Sequence, residues 1–294
     1  MKLKIIVILM IVEQFQPVFV QRFVYGIING HNNPKPALRL KCFIACNKIN
    51  DCGFVKIEGN ECKIFSKSEN LDQSNLPGLY RKRLEFIQGM VNHWPISAAR
   101  VNDLVGGKDL YGPYNTDFEK DRFGKENSAV RLNYGYYAIP AGHYFGPEFS
   151  ISIWAKFFNS DIYTRIFEFG NGMQTNNVVG IYTHNSNLIK IGMTVYKPNP
   201  IETKDIGYSS VQEKNRWYHV VYVIKNTDAY IYLDGHFLAS GTCFAKNKEE
   251  MRVNFLGKST WPSNSNANAT FDDLKIFNRA LTNQEISDLY YFYN

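Results

Sequence analysis

At 294 residues the chain has room for about two domains, and 45% hydrophobic with 20% charged residues describe a globular protein and exclude a disordered one. The formal net charge of +6 comes without an arginine-rich or RNP-type stretch, which argues against nucleic acid and favours a polyanionic glycan as partner outside the cell. Aromatic residues reach 15%, and broad rings pack best on the half-buried surfaces of strands.

Residues 1–20 read as a signal peptide. Lys2 and Lys4 precede the apolar run from Ile5 to Val12, which is too short to anchor in a bilayer. No A-x-A cleavage site is present; Val18 and Val20 before Gln21 stand in for it. No later segment is long and apolar enough to span a membrane, so the expectation is a secreted, extracellular protein. Retention by an uncleaved signal is the alternative.

Residues 21–85 form a small unit holding four of the five cysteines. Phe23 to Ile28 reads as an opening strand, and Ala37 to Lys48 has helical spacing with Cys42 and Cys46 on one face. Phe54–Ile57 and Glu61–Phe65 read as a hairpin around Glu58-Gly59-Asn60, and Leu79–Lys82 as a closing strand. Cys42, Cys46, Cys52 and Cys62 in a secreted chain imply two disulfides, with three connectivities open. A zinc site competes, but paired C-x₂-C spacing is absent and the compartment is oxidising. A helix carrying C-x₃-C, a nearby third cysteine and a hairpin carrying C-x-I-F resembles the PAN/apple fold. That resemblance implies Cys42–Cys62 and Cys46–Cys52 bridges in a disulfide-stapled α+β domain, each worth about 2–4 kcal/mol. Arg81-Lys82-Arg83 offers a contact for sulfated sugars, although a short basic run is usually a solvated strand end. Residues 85–93 read as the linker.

Residues 86–294 read as all-β until the last turn. Phe149, Ile151, Ile153, Ala155 and Phe157 alternate with Ser150, Ser152, Trp154 and Lys156, and Arg165–Gly170 is the next strand. Trp217–Ile224 and Ala229–Ala239 enclose Asp234-Gly235, a two-residue hairpin signal because both central positions of a type I′ turn need positive φ. Val253–Gly257 precedes a polar loop, and Phe271 opens the last strand. Thr282 and Glu285 form a capping box before a short helix whose Ile286, Leu289 and Tyr290 share a face. The run Phe271-Asp272-Asp273-Leu274-Lys275-Ile276-Phe277-Asn278-Arg279-Ala280-Leu281, with Trp94-Pro95-Ile96, the Asp103–Gly107 turn and the 217–239 hairpin, resembles the laminin G-like, concanavalin A-like family. It covers roughly 200 residues and implies an antiparallel two-sheet jelly-roll sandwich.

The resemblance also implies calcium, with Asp103 and Asp272 as the matching acidic positions; the other reading is that each only shapes its own turn. Trp261, in a polar loop, is the candidate ring for stacking on a sugar, with Tyr182 and His184 as further ligand-binding candidates. Asn268 heads an Asn-Ala-Thr glycosylation sequon in an expected exposed loop. Cys243 is the odd cysteine, either a buried thiol or the bridge of a homodimer. Asp117, Glu119 and Asp121 alternate but read as a solvated loop beside Lys120 and Arg122, not as a glycosidase run. His219, within an apolar strand, reads as a hydrogen-bonded core residue. No nucleophile elbow, phosphate loop or close histidine spacing points to catalysis. The expected function is non-catalytic recognition of carbohydrate or glycoconjugates by sandwich-edge loops. An extracellular structural or adhesion protein is the alternative, and a carbohydrate-active enzyme ranks third.

Overall fold

A computed structural model describes residues 25–27, 52–58, 61–66, 79–82, 88–158, 163–185, 188–211 and 213–291. The chain divides into two compact units, Met1–Gln88 and Gly89–Asn294.

In the first unit β1 (Tyr25–Ile27), β2 (Cys52–Glu58), β3 (Glu61–Ser66) and β4 (Leu79–Lys82) form an antiparallel sheet in the order β1-β4-β2-β3. The opening strand, the hairpin and the closing strand read from the sequence are therefore present, with Glu58 opposite Glu61 at the turn. Cys52 and Cys62 stand opposite Ser66 and Ile57 on the hairpin. The expected signal peptide at 1–20 and the helix carrying Cys42 and Cys46 lie outside the described residues. Each implied bridge thus has one partner beyond them.

The second unit contains β5 (Met90–Trp94), β6 (Tyr111–Glu119), β7 (Ala129–Ile139), β8 (Glu148–Phe157), β9 (Thr164–Gly170), β10 (Val178–Asn185), β11 (Leu188–Lys197) and β12 (Glu202–Val211). It continues with β13 (Trp217–Lys225), β14 (Asp228–Leu233), β15 (His236–Thr242), β16 (Val253–Leu256), β17 (Ala267–Phe277) and the helix α1 (Asn283–Tyr291). Hydrogen-bonded neighbours run β12-β11-β10-β9-β16-β7-β17-β8-β13-β14-β15, with β5 added to β17 and β6 to β7. Strands distant along this path meet ring to ring: Phe157 of β8 lies 4.3 Å from Tyr182 of β10, and Phe167 of β9 lies 5.2 Å from Tyr222 of β13. The path therefore folds into two layers with one core between them, the sandwich expected from the sequence. Met90 to His93, read as linker, instead belong to β5, because Trp94 is fully buried and pairs with Leu274.

The alternation in β8 holds, with Phe149, Ile151, Ile153, Ala155 and Phe157 all in the core. Its other face is buried too, since Trp154 stacks on Tyr290 of α1 at 5.8 Å. The capping box forms: the Thr282 N–H donates to Glu285 Oε2 at 2.7 Å and the Glu285 N–H to Thr282 Oγ1 at 3.3 Å. Ile286 and Leu289 then bury their face, which fixes α1 against the sandwich.

The strand β17 changes neighbours halfway. Residues 267–271 pair with β7, residues 274–277 pair with β5, and β8 stays alongside throughout. The change falls at a bulge, where Asp272 pairs with Trp154 and the next match is Lys275 with Ser152; Asp273 takes φ 57°. An extra residue in a bulge re-aims its side chains. Here it gathers buried charges: Arg122 donates to Asp272 at 2.5 Å, Lys275 pairs with Asp273, and His93 Nε2 lies 2.6 Å from Asp273. Burial opposes ionisation of Asp273, but Lys275 and His93 overcome it and hold the carboxyl well below the usual range. Burial and the adjacent Asp273 charge push Asp272 well above it.

Next to this cluster, His219 Nε2 meets the Ser152 hydroxyl at 2.8 Å, in keeping with a hydrogen-bonded core histidine, while its Nδ1 has no hydrogen-bond partner. Burial lowers its pKa to about 3.

Two outcomes are expected. Asp273→Ala removes the shared carboxylate of two buried cationic side chains and costs about 3–5 kcal/mol, read as a fall in the urea midpoint; Glu126→Ala on the surface changes stability by less than about 0.5 kcal/mol. The unfolded chain takes a proton on His219 near pH 6.5 that the folded chain refuses until about pH 3. Stability contributed by this histidine is therefore present above pH 6.5 and lost as pH falls. Between pH 6.5 and 4.5 wild type should lose about 2 kcal/mol more than His219→Gln in urea titrations.

Candidate functional site

Along β11, Ile189, Ile191, Met193 and Val195 enter the core, so Thr194 and Tyr196 project from the opposite face. Register places Asp205 of β12 beside Thr194 and Thr203 beside Tyr196. The Thr194 hydroxyl donates to Asp205 at 2.6 Å. Ile181 of β10, together with Tyr163 and Arg165 at the start of β9, continues this face. The loop after β16 adds Trp261 and Asn264, and together these side chains line a cavity of about 310 Å³.

A second bulge shapes its wall. Gly180 pairs with Phe167 and Ile181 with Arg165, leaving Ile166 as the extra residue in β9. In a regular strand residues 165 and 168 would face opposite ways; the bulge brings them to one side, and Arg165 Nε meets Glu168 at 3.1 Å. Nη1 of Arg165 donates to the Tyr163 carbonyl at 2.8 Å. Glu168 is almost fully buried, and its oxygens also accept from Asn177 Nδ2 at 2.9 Å, Ser259 Oγ at 3.3 Å, and both the N–H and hydroxyl of Thr260. One carboxylate thus holds the cavity's arginine and the loop that carries Trp261. Asn264 Nδ2 and the Trp261 N–H both donate to Ser259 Oγ at 3.1 Å, which closes the loop on itself.

The buried Lys246 secures the far end, donating to the carbonyls of Tyr196 at 2.8 Å and Asn176 at 3.1 Å and to Asn176 Oδ1 at 2.6 Å. Burial lowers its pKa to about 7. Burial also raises the Tyr196 phenol, which stays protonated at neutral pH.

Of the ligand-binding candidates, Trp261 lines the cavity, half-buried. Tyr182 does not: one residue on from Ile181, it faces the core, fully buried, and its hydroxyl accepts from the Asn268 N–H at 3.0 Å. His184 lies on β10 opposite Ile189, and its side chain is outside the described residues. The strands β10, β11 and β12 and the anchor Glu168 were missed in the sequence. The alternation from Ile189 to Val195 was the available signal for β11.

The donor sets at Asp103 and Asp272 do not fit a calcium ion. Asp103 accepts the N–H groups of His93, Val105, Gly106 and Lys108 and the Asn92 amide, so it shapes its own turn. Asp272 faces the Arg122 guanidinium. Asn268 sits in β17 rather than an exposed loop, its Oδ1 accepting from Arg131 at 2.5 Å and its sequon Thr270 donating to Glu119 at 2.6 Å. Asp117 and Glu119 belong to the strand β6, not to a loop, and Glu119 pairs with Lys156 at 2.7 Å; Asp121 caps the following turn. Cys243 is buried, in keeping with the buried-thiol reading, and burial raises its thiol to about 11.

A protein-family model described as the concanavalin A-like lectin/glucanases superfamily matches residues 132–287. Among solved structures, domain 4 of AbnA, a GH43 extracellular arabinanase from Geobacillus stearothermophilus in complex with arabinotriose, matches with TM-score 0.53 and 18% identity over 68% of this chain and 97% of that one. The binding domain of Paraclostridial Mosquitocidal Protein 1 matches with TM-score 0.53 and 15% identity over 70% of this chain. The receptor binding domain of botulinum neurotoxin mosaic serotype C/D gives TM-score 0.53 and 14% identity over 69%. The match spans 52% and 50% of those two toxin chains. At these identities the likeness is one of fold. No curated protein matches the sequence.

Glu168→Ala is expected to cost about 3–5 kcal/mol by leaving Arg165 buried beside a lost carboxylate. It should also release the 257–266 loop, seen as faster proteolysis there and a red shift of tryptophan emission.

Proposed function

The chain belongs to the concanavalin A-like lectin/glucanases superfamily, and from that premise we propose that it is a secreted, non-catalytic binding protein that takes carbohydrate into the cavity on β9–β12. The observation that carries this reading is the make-up of the cavity wall. Tyr163, Tyr196 and Trp261 supply rings, and Arg165, Thr203, Asp205 and Asn264 supply donors and acceptors at their edges. Sugars present an apolar ring face and a rim of hydroxyls, and a cavity of this size with few convergent polar groups is the usual form of a small-ligand site. The arabinotriose held by the arabinanase domain supports the same ligand class.

Two features support binding without hydrolysis. Among the described residues Asp205 is the carboxylate in the cavity lining, and it already accepts the Thr194 hydroxyl. Glu168 lies behind Arg165, tied to the loop, so the pair is not arranged as an acid and a nucleophile flanking a scissile bond. Calcium has no step in this mechanism, because Asp103 and Asp272 already serve N–H donors and cations.

The test is a glycan array probed with the 294-residue chain in calcium and again in EDTA. Binding should be present and equal in both. Trp261→Ala should weaken it about tenfold or more, with the urea midpoint little changed because the ring is only half-buried. Binding lost in EDTA would restore calcium to the mechanism, and silence across neutral and sulfated glycans would overturn the carbohydrate reading.

A further inference from the structure

Beyond the cavity, the same face of the sheet carries a row of rings. Tyr111 of β6 stands opposite Ala138 of β7, Ala138 opposite Phe255 of β16, and Phe255 opposite Glu168 of β9. Residues directly opposite in paired strands project from one face. Glu168 shares its face with Arg165 through their ion pair, so Tyr111, Phe255 and the cavity all open on the same side. In the next row Tyr114 stands opposite Tyr136 with ring centroids 5.3 Å apart and stacked. Tyr136 meets Phe255 edge-on at 5.7 Å, and Lys258 Nζ lies 4.3 Å and 4.8 Å from the centres of those two rings. Lys258 and Trp261 leave the same loop, so one short segment furnishes both the row and the cavity.

Tyr111 and Tyr114 are 56% and 50% exposed, which is unusual for side chains of this size aligned in a sheet. The approach of β6 that sets Tyr114 beside Tyr136 depends on Gly135, where a Cβ would lie 2.3 Å from the carbonyl oxygens of both Tyr114 and Asn115. We infer that this row is an extended subsite, and that the ligand is a saccharide chain with one unit in the cavity and its following units packed along Phe255, Tyr136 and Tyr114. Three strand spacings separate β9 from β6, roughly 14 Å, so only an oligosaccharide of several units reaches both ends. Half-exposed rings with one ammonium beside them offer a sugar chain apolar contact and a hydrogen-bond donor. This assignment rests on the carbohydrate reading of the cavity.

The experiment is calorimetric titration of the chain with linear arabino-, cello- and xylo-oligosaccharides from two to six units. Affinity for the series that binds should rise with length, by about fivefold or more between the shortest and longest members. The double variant Tyr114→Ala, Tyr136→Ala should reduce that gain to less than about twofold, while Phe237→Ala, an exposed ring on β15, keeps it. Tyr114→Ala alone, at a half-exposed position, should lower the gain without loss of folded protein. Equal affinity for short and long members, with binding still dependent on Trp261, would overturn the extended subsite and leave the cavity reading intact. Failure of every series and of the glycan array to bind would overturn the cavity reading, and this inference with it.

Discussion

The sandwich depends on β17 changing partners at Asp272–Asp273. A single strand hydrogen-bonds β7 with its first half, β5 with its second and β8 along both, so it holds the two layers in one register. The change leaves a bulge, and the bulge is stabilised by four charged side chains and a histidine that are nearly out of reach of water. Desolvating such groups is expensive, and their attraction does little more than offset it. Their effect lies in geometry. An alternative register would strand at least one charge in the core, which disfavours wrong pairings. Arg122 extends the cluster onto Trp154 at 4.6 Å, and Trp154 in turn stacks on α1.

The cavity inherits that order. The loop bearing Lys258 and Trp261 joins β16, which is paired to β9, to the start of β17. Its two ends are thereby fixed by sheet hydrogen bonds, and its middle is fixed by Glu168. The bulge at Ile166 lets a buried glutamate and a cavity-lining arginine share one face. Two bulges, one in β17 and one in β9, thus do separate work: the first sets the layers, the second builds the site.

Much of this was legible in the sequence because it is encoded locally. The Asp234-Gly235 turn has φ values of 51° and 78°, as its residue types demand. The Thr282–Glu285 box and the alternating β8 needed no distant contact to be read. The site was less legible. Trp261 was found because a tryptophan in a polar loop is conspicuous, but the candidate Tyr182 faces the core, one residue on from the cavity-lining Ile181, and in a strand one position exchanges core for surface. Arg165, Glu168 and Asp205 were invisible as a group, since the bulge and the register that join them leave no local mark. Asp103 and Asp272 looked like ion ligands because their types fit. Only the surrounding N–H donors and cations show their oxygens to be engaged already.

Carbohydrate recognition by this chain rests on a saccharide occupying the outer face of β9–β12 under the Trp261 loop. Hydrogen–deuterium exchange of the 294-residue chain, with and without a saturating glycan that binds it, tests this most directly. Slowed exchange is expected in the 258–266 loop and in β9, β11 and β12, with the turns at 103–108 and 121–127 unchanged. Protection at those turns, with none around Trp261, would contradict it.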